Sequence, residues 1–329
     1  MSSSSTNAIE VRDLVVGNGN VSAVRGVSFA IPPGGRMGLV GESGSGKSMT
    51  ALALMGLLPM GWGTKGEVLH DGADLSELSD KALSSKRGRT ISMVFQDPLS
   101  SLNPVRRVGD QISWVIRRHM GVDKAEAQRQ TIALMQQMHL PRPEQLMRAY
   151  PHELSGGQRQ RIMIAMALAC YPQLIIADEP TTALDVTVQK QVLRLLNSAV
   201  SERGSALLMI THDLPIIAAM CDTVAVMYAG RIVEMGPVTE VFRNPRHHYT
   251  RGLLDSQPTM DNIALDGSSR LVSIPGMVPS LADLPTGCAF HPRCPAASDA
   301  CRAAMPELVG ETVRAACWHP VDARELAAQ

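Results

Sequence analysis

The chain lacks a net charge: its 31 lysines and arginines balance its 31 aspartates and glutamates over 329 residues. No broad positive field gathers nucleic acid or anionic lipid, so no nucleic-acid partner is expected, and Arg106-Arg107 and Arg117-Arg118 read as solvated faces. It also lacks a long apolar run. The longest, IMIAMALAC from Ile162 to Cys170, falls far short of the roughly 18 residues that a membrane span requires. If the protein works at a membrane, other chains must do the spanning. The opening MSSSSTNA has neither the basic nor the apolar stretch of a secretory signal, so residues 1–8 are expected to be a disordered tail of a protein in a reducing cytosol. What is present is an ordinary globular composition, 45% hydrophobic and 19% charged, at a length that suits one large domain and a smaller appendage.

The pattern along the chain is α/β. AIEVRDLVV and AVRGVSFAI read as early strands, with Gly17 to Gly19 as a hairpin turn between them. RMGLVG, Arg36 to Gly41, is a buried strand running into a glycine-rich loop and an apolar helix from Ser48 to Leu58. Apolar strands at 90–95, 174–177 and 206–210 alternate with helical stretches, which favours parallel βαβ units. Val188, Val192, Leu195, Leu196, Ala199 and Val200 fall on one face of a 3.6-residue repeat, a stripe that reads as core packing. Residues 108–169 are largely helical and form an insertion in the α/β core. Beyond about residue 243 the chain turns proline-rich and loop-rich before its cysteine cluster.

GESGSGKS, Gly41 to Ser48, fits G-x-x-x-x-G-K-S between a strand and a helix. Glycines let the backbone of Ser43, Gly44, Ser45, Gly46, Lys47, Ser48 and Met49 wrap phosphates closely, and amide hydrogens at a helix N-terminus supply positive potential. Lys47 reaches the β and γ phosphates, and Ser48 can ligate magnesium. LIIADE, Leu174 to Glu179, is a buried strand ending in two acids: Asp178 can enter the magnesium shell, and Glu179 is placed to polarise an attacking water.

LSGGQ, Leu154 to Gln158, lies between these motifs. In the order GESGSGKS, FQDP around Gln96, LSGGQ, LIIADEP, TALD around Asp185 and ITHD around His212, the chain resembles the nucleotide-binding domain of ABC transporters. The resemblance implies a P-loop NTPase fold: a mixed-sheet core, an N-terminal antiparallel β subdomain and a helical subdomain at about 98–165, within an ATPase domain spanning 9–255. It implies ATP and Mg2+ as cofactors, with Ser48, Gln96 and Asp178 on the metal. Glu179 would be the general base, His212 would contact the γ-phosphate and Gln96 would sense it. Two such domains would pair head to tail, so Ser155, Gly156, Gly157 and Gln158 meet the partner's nucleotide and Asp185 communicates across the interface. The family usually stacks an aromatic on adenine, yet Phe29 is the first aromatic here, which leaves an aliphatic such as Val16 or Val24 for that place.

MVFQDPLSSLNPVRRVGDQI, the LSGGQ region and RLVSIPGMVPSLADLPTGCAFHPRCP resemble the ATP-binding subunits of peptide and nickel importers, closest to the D-type subunit of dipeptide and oligopeptide importers. Expected partners are two transmembrane permease subunits, a second ATPase in a heterodimer and an extracytoplasmic peptide-binding protein. The expected place is the cytoplasmic face of the inner membrane. A nickel importer ATPase, or a soluble ABC ATPase outside transport, is the alternative.

After a linker over 256–287 comes the cysteine-rich region, 288–320. Cys288, Cys294, Cys301 and Cys317 are separated by five, six and fifteen residues, a spacing that by itself selects neither zinc nor an iron–sulfur cluster over reduced, packed thiols. Their crowding among prolines favours a ligand shell holding a segment poor in apolar residues. The resemblance implies a four-iron four-sulfur cluster, [4Fe-4S], with Zn2+ as the alternative; His291 and His319 could replace a thiolate around zinc, but roles beside the cluster or on the surface are expected of them. Cys170 and Cys221 lie in apolar stretches as core thiols.

Overall fold

A computed structural model describes residues 7–181, 185–257 and 273–321. Two long antiparallel strands open it, β1 (Ile9–Asn18) and β2 (Val21–Ile31), and Gly19 at φ 58° makes the expected turn. The ladder starts inside the expected tail: Ala8 is buried and donates its N–H to Ile31 O at 2.8 Å, while residues 1–6 lie outside the described residues. Next come β3 (Arg36–Val40) and α1 (Lys47–Leu54). This helix is shorter than the expected Ser48 to Leu58, because Gly56 takes φ 60° and Pro59 cannot continue it. β4 (Gly63–His70) and β5 (Ala73–Asp74) complete a four-stranded antiparallel sheet in the order β2-β1-β4-β5.

A capped helix α2 (Asp80–Lys86) leads into β6 (Ile91–Val94). The helical layer follows: α3 (Pro98–Ser101), α4 (Val108–Met120), α5 (Lys124–Gln137), α6 (Pro143–Leu146) and α7 (Gly156–Leu168). Its chemistry is local. Gly121 at φ 67° ends α4, and Asp123 starts α5 by accepting the Glu126 N–H at 2.8 Å.

The chain then alternates β7 (Leu174–Asp178), α8 (Val186–Arg203), β8 (Ala206–Ile210), α9 (Leu214–Met220), β9 (Thr223–Tyr228) and β10 (Arg231–Pro237). Helices α10 (Val238–Arg243), α11 (His248–Asp255) and α12 (Asp299–Ala303) and the short β11 (Arg314–Ala315) close the described chain. The second sheet has seven strands in the order β11-β10-β9-β3-β8-β7-β6, parallel from β9 to β6 and antiparallel at β10 and β11. Every residue of β6, β7 and β8 is buried, as continuous apolar runs in a covered parallel sheet require. On α8 the expected stripe faces that core, with Val192, Leu196, Ala199 and Val200 buried and Val188 and Leu195 packed against it.

Register decides where chemistry can occur. Leu39 and Asp178 both pair with Ile210, so the loop after β3, the acids ending β7 and the turn after β8 emerge at one edge of the sheet. The C-terminal region folds onto the same body. Phe290 packs with Tyr228, Tyr249 and His247 at ring distances of 5.3, 5.4 and 5.8 Å, and β11 extends the sheet. Of the expected linker, residues 258–272 lie outside the described residues.

Candidate active site

The glycine-rich loop is shaped by close backbone approach. Gly46 sits at φ 104°, and a Cβ there would fall 2.3 Å from Ala23 O, so only glycine fits. Lys47, buried at the start of α1, donates from Nζ to Gly41 O at 2.8 Å, Glu42 O at 2.9 Å and Ser45 Oγ at 3.4 Å. Burial lowers its pKa, against the attraction of Glu179, Asp178 and Glu42. Ser43, Gly44 and Ser48 are exposed along this concave turn, and Ser45 lies beneath it.

Ser48 Oγ donates to Asp178 Oδ1 at 3.2 Å, which brings two of the three expected magnesium ligands together. Burial raises the Asp178 pKa, the Ser48 bond opposes it, Glu179 adds to it and Lys47 again opposes it. Glu179 occupies φ 45°, a left-handed backbone held by its N–H donating to Ile210 O at 2.8 Å. Its carboxylate is gripped from two sides. Gln96 Nε2 donates to Oε2 at 3.2 Å, and His212 Nδ1 lies 3.0 Å from Oε1. Lys47, Ser48, Gln96, Asp178, Glu179 and His212, drawn from four separate stretches of sequence, thus form one constellation.

Ser155 to Gln158 and Asp185 stand on other elements with bonds of their own. Ser155 Oγ accepts the Gln158 N–H at 3.3 Å while Gln158 Oε1 accepts the Ser155 N–H at 2.9 Å, a reciprocal cap on α7. Gly157 lets α7 approach α8, since a Cβ there would sit 2.8 Å from Val188 Cγ1. Ser155 is exposed at this helix start. Asp185 caps α8, accepting the N–H groups of Thr187 and Val188 at 3.0 Å each.

One expectation is corrected. Val16 and Val24 are both 0% exposed, locked face to face across β1 and β2, so neither offers a surface to an adenine ring.

The C-terminal thiols are all free, with Cys288 and Cys301 buried and Cys294 and Cys317 half-buried. Backbone N–H groups at Phe290 and His291, at Ala296 and at His319 hydrogen-bond to the sulfurs of Cys288, Cys294 and Cys317 in turn. Burial outweighs these bonds and raises all three pKa values, that of Cys317 to about 11. The sulfur of Cys317 lies within electrostatic range of the other three. Even so, among the described residues no three His, Cys, Asp or Glu side chains converge as a shell for one ion. His291 Nδ1 meets Cys288 O at 2.9 Å and His319 Nε2 meets Ser298 Oγ at 2.7 Å.

Three residues escaped the reading by motif. Glu42, at a variable position of the loop, pairs with Arg293 from the cysteine-rich region, and its N–H donates to Tyr249 Oη at 2.7 Å. The available signal was an arginine buried in a proline-rich segment, a charge that needs a partner.

A phosphate-type loop on β3 and α1, paired acids ending β7, a glutamine and a histidine closing on the second acid, and a separately capped LSGGQ helix define an ATP-binding cassette ATPase. Comparison with known proteins agrees. The ABC transporter family model matches residues 24–182, and the model for the oligopeptide/dipeptide transporter C-terminal region matches 233–301. The chain is 46% identical to the oligopeptide transport ATP-binding protein OppD of Salmonella typhimurium, over 95% of this chain and 94% of that protein. Against OppD of Escherichia coli identity is 47%, with the same coverage, and against OppD of Bacillus subtilis it is 47% over 87% of this chain and 80% of that one. The dimeric post-hydrolysis structure of the ATP-binding cassette MJ0796 bound to ADP and Pi superposes with a TM-score of 0.63 at 26% identity, covering 70% of this chain and 98% of that one. CbiO1 from Clostridium perfringens gives 0.61 at 28% identity, over 72% and 91% of the two chains. The chain belongs to the ABC transporter ATP-binding proteins, in the OppD-like branch. No helix among the described residues is long and apolar enough to cross a membrane.

Proposed function

We propose that this ATPase drives uptake of oligopeptides as the nucleotide-hydrolysing subunit of an importer. It acts at the cytoplasmic face of the inner membrane with two permease subunits, a second, F-type ATPase and an extracytoplasmic peptide-binding protein. The observation that carries the catalytic part is the Glu179 carboxylate, strained at its backbone and held by Gln96 and His212 one residue beyond the Ser48–Asp178 pair. Ser43 to Met49 would enclose the phosphates of ATP, with Lys47 leaving its carbonyl partners to meet them. Ser48, Gln96 and Asp178 would hold Mg2+, which when bound neutralises phosphate charge. Glu179 orients water and takes its proton, and His212 steadies the carboxylate. The opening of α7, with Ser155 exposed and Gly156 and Gly157 half-buried, suits a nucleotide brought by the partner ATPase, with Asp185 on the neighbouring helix start. Val105 and Trp114, 79% and 55% exposed beside Arg106, Arg107 and Lys124, suit a face against the permeases.

The cofactor of the C-terminal region is a [4Fe-4S] cluster on Cys288, Cys294, Cys301 and Cys317, with Zn2+ as the competing occupant. Four thiols within electrostatic range of one another, three already accepting backbone N–H groups, are the donor chemistry that supports it. Anaerobic purification followed by iron, sulfide and zinc analysis tests this. About four irons per chain, lost in Cys294→Ser, is the expected result, and one zinc or no metal sinks it.

The test of the whole reading is peptide uptake by vesicles holding the permeases, the binding protein and both ATPases, with Glu179→Gln here and the equivalent change in the partner. ATP binding should persist while hydrolysis falls at least about 100-fold and uptake stops. Unchanged hydrolysis overturns the role of Glu179, and normal hydrolysis without peptide uptake in the unaltered complex overturns the substrate.

A further inference from the structure

Arg293 comes from the cysteine-rich region, between Cys288 and Cys294, yet its guanidinium lies against the nucleotide loop. Nη1 donates to Glu42 Oε2 at 2.7 Å and Nη2 to Glu42 Oε1 at 3.0 Å, a two-pronged contact that fixes direction as well as distance. Nε donates to Pro275 O at 2.8 Å and Nη1 also reaches Tyr228 Oη at 3.4 Å, so the fork has little freedom to swing. Its side chain is 5% exposed against 30% for Glu42, which makes the arginine the fixed partner and the loop residue the held one. Tyr249 Oη accepts the Glu42 N–H, while Glu42 O accepts from Lys47 Nζ at 2.9 Å. A continuous path of hydrogen bonds therefore joins the C-terminal region to the ammonium that meets phosphate.

We propose that Arg293 is a positioning residue for ATP. Through Glu42 it sets the pose of the loop carrying Lys47, and it offsets the charge of a carboxylate that attracts Lys47 and would repel incoming phosphates. The pair stands inside the attractive field that Glu42 exerts on Lys47, so releasing it changes both geometry and charge where the nucleotide lands. The cysteine-rich region is then part of the nucleotide site, whatever its thiols hold. This inference deepens the reading of GESGSGKS as the ATP site and rests on it.

The experiment uses the full chain and titrates a fluorescent ATP analogue with magnesium into wild type, Arg293→Ala, Arg293→Lys, Glu42→Gln and the double variant Arg293→Ala/Glu42→Gln. Steady-state ATPase kinetics and thermal melting accompany each. Each single change should weaken nucleotide binding about tenfold, raising KM far more than it lowers kcat, and the double variant should be no worse than Arg293→Ala, since both act through one contact. Binding within twofold of wild type in a folded single variant overturns the proposal. So does a double variant whose loss is the product of the single losses. Should Arg293→Ala fail to fold, Arg293→Lys, which keeps the charge but not the fork, and Glu42→Gln decide the matter by the same criterion. A Lys47→Ala control separates the two layers: abolished binding there keeps the ATP-site reading, and retained binding overturns that reading and this proposal with it.

Discussion

Gly46 shows how much of this site is decided by single atoms. Its φ of 104° belongs to a region that side chains rarely enter, and a Cβ would meet Ala23 O at 2.3 Å, against backbone that cannot turn aside. Gly46→Ala therefore has to displace either β2 or the loop. Strain of roughly 1–3 kcal/mol is expected, and because the loop is the more exposed of the two, it is the element that moves. A nucleotide titration should show at least about tenfold weaker binding, while the thermal midpoint falls by only a few degrees. A variant that binds ATP as wild type does would mean that the loop shape is not set by this approach. Glu179 is the opposite case. There a side chain is kept in a left-handed backbone that glycine would suit better, because the carboxylate is needed between Gln96 and His212.

Helices carry two kinds of information, and α8 displays both. Its apolar stripe is legible from spacing alone, and Val192 and Leu196 are fully buried where a 3.6-residue repeat puts them. Its start is less so. Asp185 is picked out by motif for a role across a dimer, yet within the chain it already has work, capping α8 through two bonds of 3.0 Å. The two roles separate by substitution. Asp185→Ala should cost about 1 kcal/mol in chemical denaturation, and Asp185→Ser, which keeps a capping oxygen, should recover most of it. If ATPase activity of the assembled complex recovers along with stability, capping accounts for the residue; if it stays low in Asp185→Ser, the cross-dimer role stands apart. The same contrast explains what the sequence revealed of the molecule as a whole. Parallel strands and the phosphate loop follow local rules, so they are readable. The division of 223–237 into β9 and β10 was missed, because Ala229-Gly230 is a weak turn signal beside an Asn-Gly or Asp-Gly pair. The adenine platform was misplaced on Val16 and Val24, because alternation along a strand does not say which face is covered. Arg293 and Glu42 lie 251 positions apart, and no periodicity connects them.

At the scale of the whole molecule, His247 is where the sheet, the helices after it and the C-terminal region meet. Its N–H donates to Glu234 of β10 at 2.9 Å, its Nδ1 accepts the Tyr249 N–H at 3.0 Å to cap α11, and its ring packs on Phe290. Complete burial, with a smaller contribution from His248, pushes its pKa from 6.5 down to about 3, so the folded protein keeps the ring neutral. The sign follows from linkage. Below pH 6.5 the unfolded chain takes a proton that the folded chain refuses, so stability is complete above that pH and declines as pH falls toward 3. At pH 5 the loss from this one group is about 2 kcal/mol. Glu234 works in the opposite sense, since burial raises its pKa and acid relieves the cost of its charge. A comparison of variants isolates the histidine from it. His247→Asn retains an acceptor for the cap but cannot titrate, so urea denaturation at pH 7 and pH 5 should show a drop in wild type that is about 2 kcal/mol larger than in the variant. Equal drops would mean that His247 takes up its proton without unfolding. The joint between the C-terminal region and the ATPase body would then open in acid while the rest of the fold holds.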